Sequence, residues 1–250
     1  MSLFYFENEK KKYTKHALYN CWILAHKTDI PTWSQKKDLN LYMQIKQVEF
    51  TNYKNEVTKK SQIYLHHTAG GPSAENVFKF WQSDATPVAT CVSISRDGQI
   101  VQGFPSEKWA YHLGLSNQMF ANNKMPYINL DKISIGIEIC AWGPLTKKGD
   151  KFYNYVNGIV PANEVSELKT PFKGKIHYHK YTTAQIESTR QLLLHWHKKY
   201  GIPITYDPAI WEINKNALSG KPGLYTHVSV RQDKSDVFPQ EELIEMLLSL

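Results

Sequence analysis

Ser134-Ile135-Gly136-Ile137-Glu138-Ile139-Cys140 alternates strictly between apolar and other residues. As a strand it puts Ile135, Ile137 and Ile139 on one face and Gly136 and Glu138 on the other. A second strand is spelled by Gln62-Ile63-Tyr64-Leu65-His66, a β-branched and aromatic run that breaks into a loop at Thr68-Ala69-Gly70-Gly71-Pro72. Ser73 then caps a helix running through Phe80-Trp81, with Val77, Phe80 and Trp81 as its apolar positions. Ala89 to Ser95 and Gln99 to Phe104 form a hairpin with Asp97-Gly98 at its turn. Farther on, Thr182 and Gln185 make a capping box that opens a helix over 183–200, closed by Gly201. Its buried face is marked by Ile186, Leu193, Trp196 and Tyr200. A last helix runs from about Pro239 to Leu248, with Pro in its first turn and Glu241-Glu242 near the positive end of its dipole. Strands interleaved with helices predict an α/β (α+β) fold, a central mixed β-sheet flanked by helices.

Two segments stand outside this pattern. Residues 144–180 read as an insertion, in which Phe152 to Val156, Asn157-Gly158 and Ile159-Val160 signal a second hairpin. Residues 1–58 read as an amino-terminal extension, mostly helical and packed on the core. Within it Trp33 to Gln47 carries Leu39 and Met43, with Val48 following, at loosely helical spacing. The main domain is thus expected over 59–250.

The chain has 250 residues, 42% hydrophobic and 21% charged, which excludes disorder and collagen-like repeats. Its greasiest runs, Leu192 to Trp196 and Leu243 to Leu250, are far shorter than the roughly 20 residues of a membrane span. Lys10-Lys11-Lys12 follows the apolar patch at the amino terminus, the wrong order for a secretory signal. A cytoplasmic place of synthesis is therefore expected. A net charge of +7 favours polyanionic partners: nucleic acid, membrane surfaces or anionic wall polymers. No nucleic-acid motif accompanies it, and a monomer without nucleic-acid partners is expected. Cys21, Cys91 and Cys140 are odd in number and unpaired in spacing, as reduced buried thiols are.

Position makes certain histidines informative. His66 and His67 sit where a strand becomes a loop, and His227 ends the run Gly223-Leu224-Tyr225-Thr226. Lys234 and Asp236 follow seven and nine residues beyond His227. Two imidazoles and a carboxylate, with a fourth position open, are the composition of a catalytic zinc site. Spacing alone favours ordinary structural histidines, which are common at strand ends. Glu138 sharpens the choice, since a carboxylate among isoleucines is costly unless it serves a site or is paired. It fits a general base, a solvent-facing edge residue, or a partner for a lysine. His177 and His179 could face one side of a strand, whereas His195 and His197 on a helix do not face one another.

Five stretches in order then resemble one family: Ile63-Tyr64-Leu65-His66-His67-Thr68-Ala69-Gly70; Val92-Ser93-Ile94-Ser95-Arg96-Asp97-Gly98; Trp109-Ala110-Tyr111-His112-Leu113-Gly114; Ser134 to Ile139; and Thr226-His227 with Lys234-Ser235-Asp236. They are similar to the type-2 N-acetylmuramoyl-L-alanine amidases, whose superfamily includes phage lysozyme-type endolysins and peptidoglycan-recognition proteins. The likeness spans about residues 61–249. It implies zinc (Zn2+) bound by His66, His227 and Asp236, with His66 rather than His67 in the ligand position. Glu138 would be the general base, Lys234 would stabilise the oxyanion, and His112 and Trp109 would line the substrate groove. Some members carry a catalytic Tyr where this chain has Thr90-Cys91, which leaves the base function to Glu138. Asp236 matches the branch with a carboxylate ligand.

The implied reaction is zinc-dependent hydrolysis of the amide between N-acetylmuramic acid and L-alanine in peptidoglycan, lytic for the cell wall after release in the manner of a phage endolysin. Alternatives are a non-catalytic peptidoglycan-binding module, which would lack a ligand or the base, and a cytosolic amidase recycling soluble muropeptides.

Overall fold

The alternating run 134–139 lies near the middle of the main sheet, and all six of its residues are buried. The computed structural model describes residues 43–84, 86 and 88–250, and a compact unit spans Leu41–Leu250. In chain order the strands are β1 (Ile45–Gln47), β2 (Gln62–His67), β3 (Val92–Ile94), β4 (Ile100–Gln102) and β5 (Ser134–Ile139). Next come β6 (Thr146–Lys148), β7 (Lys151–Tyr153) and β8 (Ile159–Val160), a separate antiparallel sheet, then the antiparallel pair β9 (Val165–Phe172) and β10 (Lys175–His179). Finally β11 (Gly223–Thr226) returns to the main sheet. The helices are α1 (Ala74–Ser83), α2 (Asn117–Asn122), α3 (Leu130–Ile133), α4 (Thr183–Tyr200), α5 (Lys215–Leu218) and α6 (Glu241–Leu248). The expected mixed sheet flanked by helices is what forms.

The main sheet has the order β1-β4-β3-β5-β2-β11. Only the β3–β4 hairpin is antiparallel, while β3, β5, β2 and β11 run the same way. Their carboxyl ends therefore open on one side of the sheet, where open α/β sheets place their ligands. Ile135, Ile137 and Ile139 fill the core, each burial contributing about 1.5–3 kcal/mol. The opposite face of β5 is covered as well, so Ser134 and Glu138 are buried rather than solvated.

Local chemistry fixes the packing helices. The Thr182 hydroxyl accepts from the Gln185 backbone and the Gln185 side chain accepts from Thr182, closing the capping box of α4. Gln185 Nε2 also donates to the carbonyls of Ile94 and Cys140, which ties the start of α4 to the ends of β3 and β5. Gly201 ends the helix at φ +68°, a left-handed conformation that favours glycine. Gln240 grips both the N–H and the carbonyl of Tyr181 and caps α6, so Pro239 lies outside the helix, not in its first turn as expected.

Three other expectations change. The helix expected over Trp33 to Gln47 fails at its carboxyl end, where Ile45–Gln47 is a strand pairing in parallel with Ile100–Gln102. The open edge of β4 offers these residues backbone hydrogen bonds that local periodicity does not reveal. The rest of the helical reading, with Cys21, lies outside the described residues. Residues 43–58 lie in the same compact unit as 59–250. In α1 the buried residues are Ala74 and Phe78, whereas Phe80 is 70% exposed. Phe78 enters because Gly103 makes room: a Cβ there would stand 2.4 Å from its ring. The second hairpin closes not on a two-residue turn but on the longer loop 154–158, organised by the Asn154 side chain.

Cys91 and Cys140 are free and buried, and burial pushes both thiols up to about 12. They are inert core residues. No helix among the described residues is long and apolar enough to cross a membrane.

Candidate metal and catalytic site

His66 is near the end of β2 and points into a cleft of about 440 Å³ at the carboxyl ends of the strands. His67, next in the strand, also borders this cleft, but its Nδ1 is taken by the Tyr181 hydroxyl at 2.9 Å and it stays outside the ligand group. His227 begins a single 3₁₀ turn directly after β11, which pairs with β2 and so brings the two histidines together. Asp236 arrives on the loop beyond, which Arg231 braces by bonding both the Asp233 carboxylate and the Gly114 carbonyl. The outcome is three ligand atoms at one point. His66 Nδ1 lies 3.1 Å from His227 Nδ1 and 3.2 Å from Asp236 Oδ2, and His227 Nδ1 lies 2.9 Å from Asp236 Oδ2.

The outer hydrogen bonds decide which atoms carry protons. His227 Nε2 faces the Leu113 carbonyl at 3.0 Å, which can only accept, so that nitrogen holds the proton. The Ser134 hydroxyl donates to the Leu130 carbonyl at 2.7 Å and therefore accepts from His112 Nε2 at 2.8 Å. His112 Nδ1 is then an acceptor, and His66 Nε2 donates to it at 3.0 Å. Burial lowers His66 to about 4 and holds His112 well below the usual imidazole range, so both are neutral at neutral pH. Burial raises the Asp236 carboxyl, but His227 and His66 outweigh it and hold it well below its usual range. With its proton on Nε2, His227 turns its Nδ1 lone pair toward His66 Nδ1 and Asp236 Oδ2, so three ligand atoms face one point. That donor set fits a divalent cation, and zinc accepts two imidazoles and a carboxylate with a fourth position open.

Glu138 stands beside His66 in the β2–β5 register and lines the same cleft. Burial pushes its carboxyl well above the usual range, Asp236 adds to the rise, and Lys234 opposes it. Lys234 lines the cleft too. The three small-to-acidic positions on one face of β5 divide the work. Ser134 anchors His112, Glu138 faces the cleft, and Gly136 leaves space between. A Cβ at Gly136 would lie 3.1 Å from His112 Nδ1 and 2.5 Å from Thr90 Cγ2.

The two residues expected in the substrate groove fare differently. His112 is buried at the floor of the cleft, holding His66. Trp109 does not line the cleft: it is buried, donates Nε1–H to Glu56 at 3.0 Å, and carries Lys132 over its ring. The cleft's aromatic lining comes instead from Trp81, Trp142 and Tyr155. Sequence reasoning passed over these, and over Ser134 and Gly136, although the alternation of β5 places the last two beside Glu138. His179 accepts from the Trp142 N–H and bonds Glu164, His177 packs on Phe152, and His197 bonds the Ile202 carbonyl. None of these three joins the metal-ligand group.

An open α/β sheet with such a cluster at its strand ends has the make-up of a hydrolase. The sequence makes the class definite: the profile of the N-acetylmuramoyl-L-alanine amidases matches residues 56–239, and the chain belongs to that family of enzymes. No curated protein matches the chain. Among solved structures it is similar to the catalytic domain of XlyA, with 13% identity, 82% of this chain and 98% of that one covered, and a TM-score of 0.47. It is also similar to PlyL, with 18% identity, 78% and 86% covered, and a TM-score of 0.45. The N-acetylmuramoyl-L-alanine amidase LysC from Clostridium intestinale URNW gives 16% identity, 80% and 94% covered, and a TM-score of 0.42. At such scores the family assignment rests on the sequence match alone.

Proposed function

We propose that the chain is a zinc-dependent amidase that cleaves the bond between the lactyl group of N-acetylmuramic acid and L-alanine, lysing the cell wall. The observation that carries this reading is the convergence of His66 Nδ1, His227 Nδ1 and Asp236 Oδ2 as lone pairs beside the buried carboxyl of Glu138. Zinc held by these three residues would supply a Lewis acid that polarises the carbonyl and acidifies water. Glu138 takes the proton of the attacking water on its carboxylate and returns it to the departing alanine amine. Its raised pKa suits the first half of that exchange, because a weaker acid is also the better base. Lys234 offers its ammonium to the oxyanion that forms on the carbonyl. His112 and Ser134 hold His66 with its Nδ1 lone pair forward.

The catalytic unit in this reading is 41–250, with 144–180 as an insertion that supplies part of one cleft wall. The test is the set of products released from purified wall with and without chelator. New alanine amino termini without new reducing ends, abolished by chelator and restored by zinc, are expected. New reducing ends would make the chain a glycosidase and refute the reading. Faster cleavage of soluble muropeptides than of intact wall would favour a recycling role over lysis.

A further inference from the structure

One wall of the cleft is aromatic and has no part in the chemistry above. Trp142 and Tyr155 line it, their ring centroids 6.2 Å apart and inclined at 63°. Trp142 is fixed from behind. It packs against Leu145, Phe152 and Val160, and its backbone N–H donates to His179 Nδ1 at 3.1 Å. Tyr155 is 68% exposed, and its neighbours Val156 and Ile159 are 56% and 59% exposed. The loop that carries it is nonetheless ordered. Asn154 Oδ1 accepts from the N–H groups of Val156 and Gly158 at 3.2 and 2.7 Å, and the Asn154 N–H donates to the Gly158 carbonyl at 2.9 Å. An ordered loop that holds apolar side chains in water at the lip of a catalytic cleft marks an interaction surface.

The chemistry of the wall selects its occupant. Among the described residues the one Lys or Arg lining the cleft is Lys234, which acts on Glu138. A peptide stem rich in carboxylates would call for cations along its path, and the Trp142–Tyr155 wall has none among the lining residues. An uncharged pyranose presents axial C–H bonds, a weakly positive apolar face that complements the negative face of an aromatic ring. We propose that Trp142 and Tyr155 form a glycan subsite that stacks on a sugar ring of the strand carrying the cleaved stem. This rests on the amidase reading and deepens it: the subsite makes the chain favour stems still attached to glycan over free muramyl peptides.

The test uses the full chain and two probes that lack the scissile amide. One is the stem-free tetrasaccharide of alternating N-acetylglucosamine and N-acetylmuramic acid, the other the free stem tetrapeptide. Tyr155→Ala should weaken the tetrasaccharide about 3- to 10-fold, as loss of one ring contact does, and leave the tetrapeptide unchanged. Tyr155→Phe keeps the ring and should bind as the wild type does. On glycan-bearing substrate Tyr155→Ala should raise KM with kcat unchanged. Unaltered tetrasaccharide binding by Tyr155→Ala, or a loss confined to the tetrapeptide, overturns the subsite. Wall cleavage by the wild type separates the two readings: a chain that releases alanine amino termini yet shows either of those results refutes the subsite alone. A chain that neither cleaves the wall nor binds the tetrasaccharide refutes both.

Discussion

Replacing His112 by leucine should weaken metal binding by about 10- to 100-fold while the protein stays folded. The magnitude follows from the relay behind His66. In the wild type His66 Nε2–H has one acceptor, His112 Nδ1 at 3.0 Å, in a buried setting. Leucine fills a similar volume but accepts nothing, so the N–H is orphaned at a cost of about 1–3 kcal/mol. His66 can escape by moving its proton to Nδ1, but that atom lies 3.1 Å from His227 Nδ1 and 3.2 Å from Asp236 Oδ2, at the point a cation would occupy. The proton must then leave before metal enters. Either route charges the loss to metal affinity, and each 1.4 kcal/mol is a factor of about ten. Competition with a chromophoric chelator measures the affinity, and imidazole 15N shifts of metal-free protein report the His66 tautomer. His112→Asn, whose amide oxygen can accept near the position of Nδ1, should recover most of the affinity. Unchanged affinity in His112→Leu, or a wild-type His66 protonated on Nδ1, would refute the reasoning.

Four further outcomes are expected. Glu138→Gln keeps shape but cannot take a proton, so metal should be retained and turnover should fall about 100-fold or more; near-normal turnover would move the base elsewhere. His227→Ala should lose metal and activity together by elemental analysis and assay, whereas His67→Ala, bonded to Tyr181 instead, should keep its metal. Lys60 is buried with Nζ on the Lys132 carbonyl, and burial lowers its pKa to about 8. The unfolded chain holds that proton to roughly pH 10.4, so it binds more protons than the folded one between those values and stability rises with pH there. Lys60→Met should flatten that rise and lift Tm at pH 7, since the Lys132 carbonyl keeps its Thr58 donor; an undiminished slope would assign it to other groups. A chain starting at Lys59 loses β1 and Phe50, whose ring packs 5.3 Å from Phe78 and 6.1 Å from Phe104. It should melt lower or aggregate, at a cost of about 3–5 kcal/mol for the phenylalanine alone; equal stability in a thermal melt would show those residues to be dispensable.

What the sequence determined by itself is whatever short-range forces decide. The Thr182–Gln185 box, the turn at Asp97-Gly98 and the alternation of 134–139 are settled by caps, dihedral preferences and the two-residue period of a strand. They emerge in the structure nearly where the residues place them. The same period separates His66 from His67, so one joins His227 and Asp236 and the other bonds Tyr181. Tertiary structure alone decided what depends on distant partners. His66 meets Asp236 across 170 residues because β11 pairs with β2, a contact no local window contains. Residues 45–47 become a strand because β4 has an open edge, and Phe78 rather than Phe80 is buried because Gly103 leaves a space. Trp109 is withdrawn from the cleft and Trp142 and Tyr155 enter it, although nothing in their local sequence separates them. Burial is a property of what an element packs against, and hydrogen-bond roles such as that of His112 follow from burial.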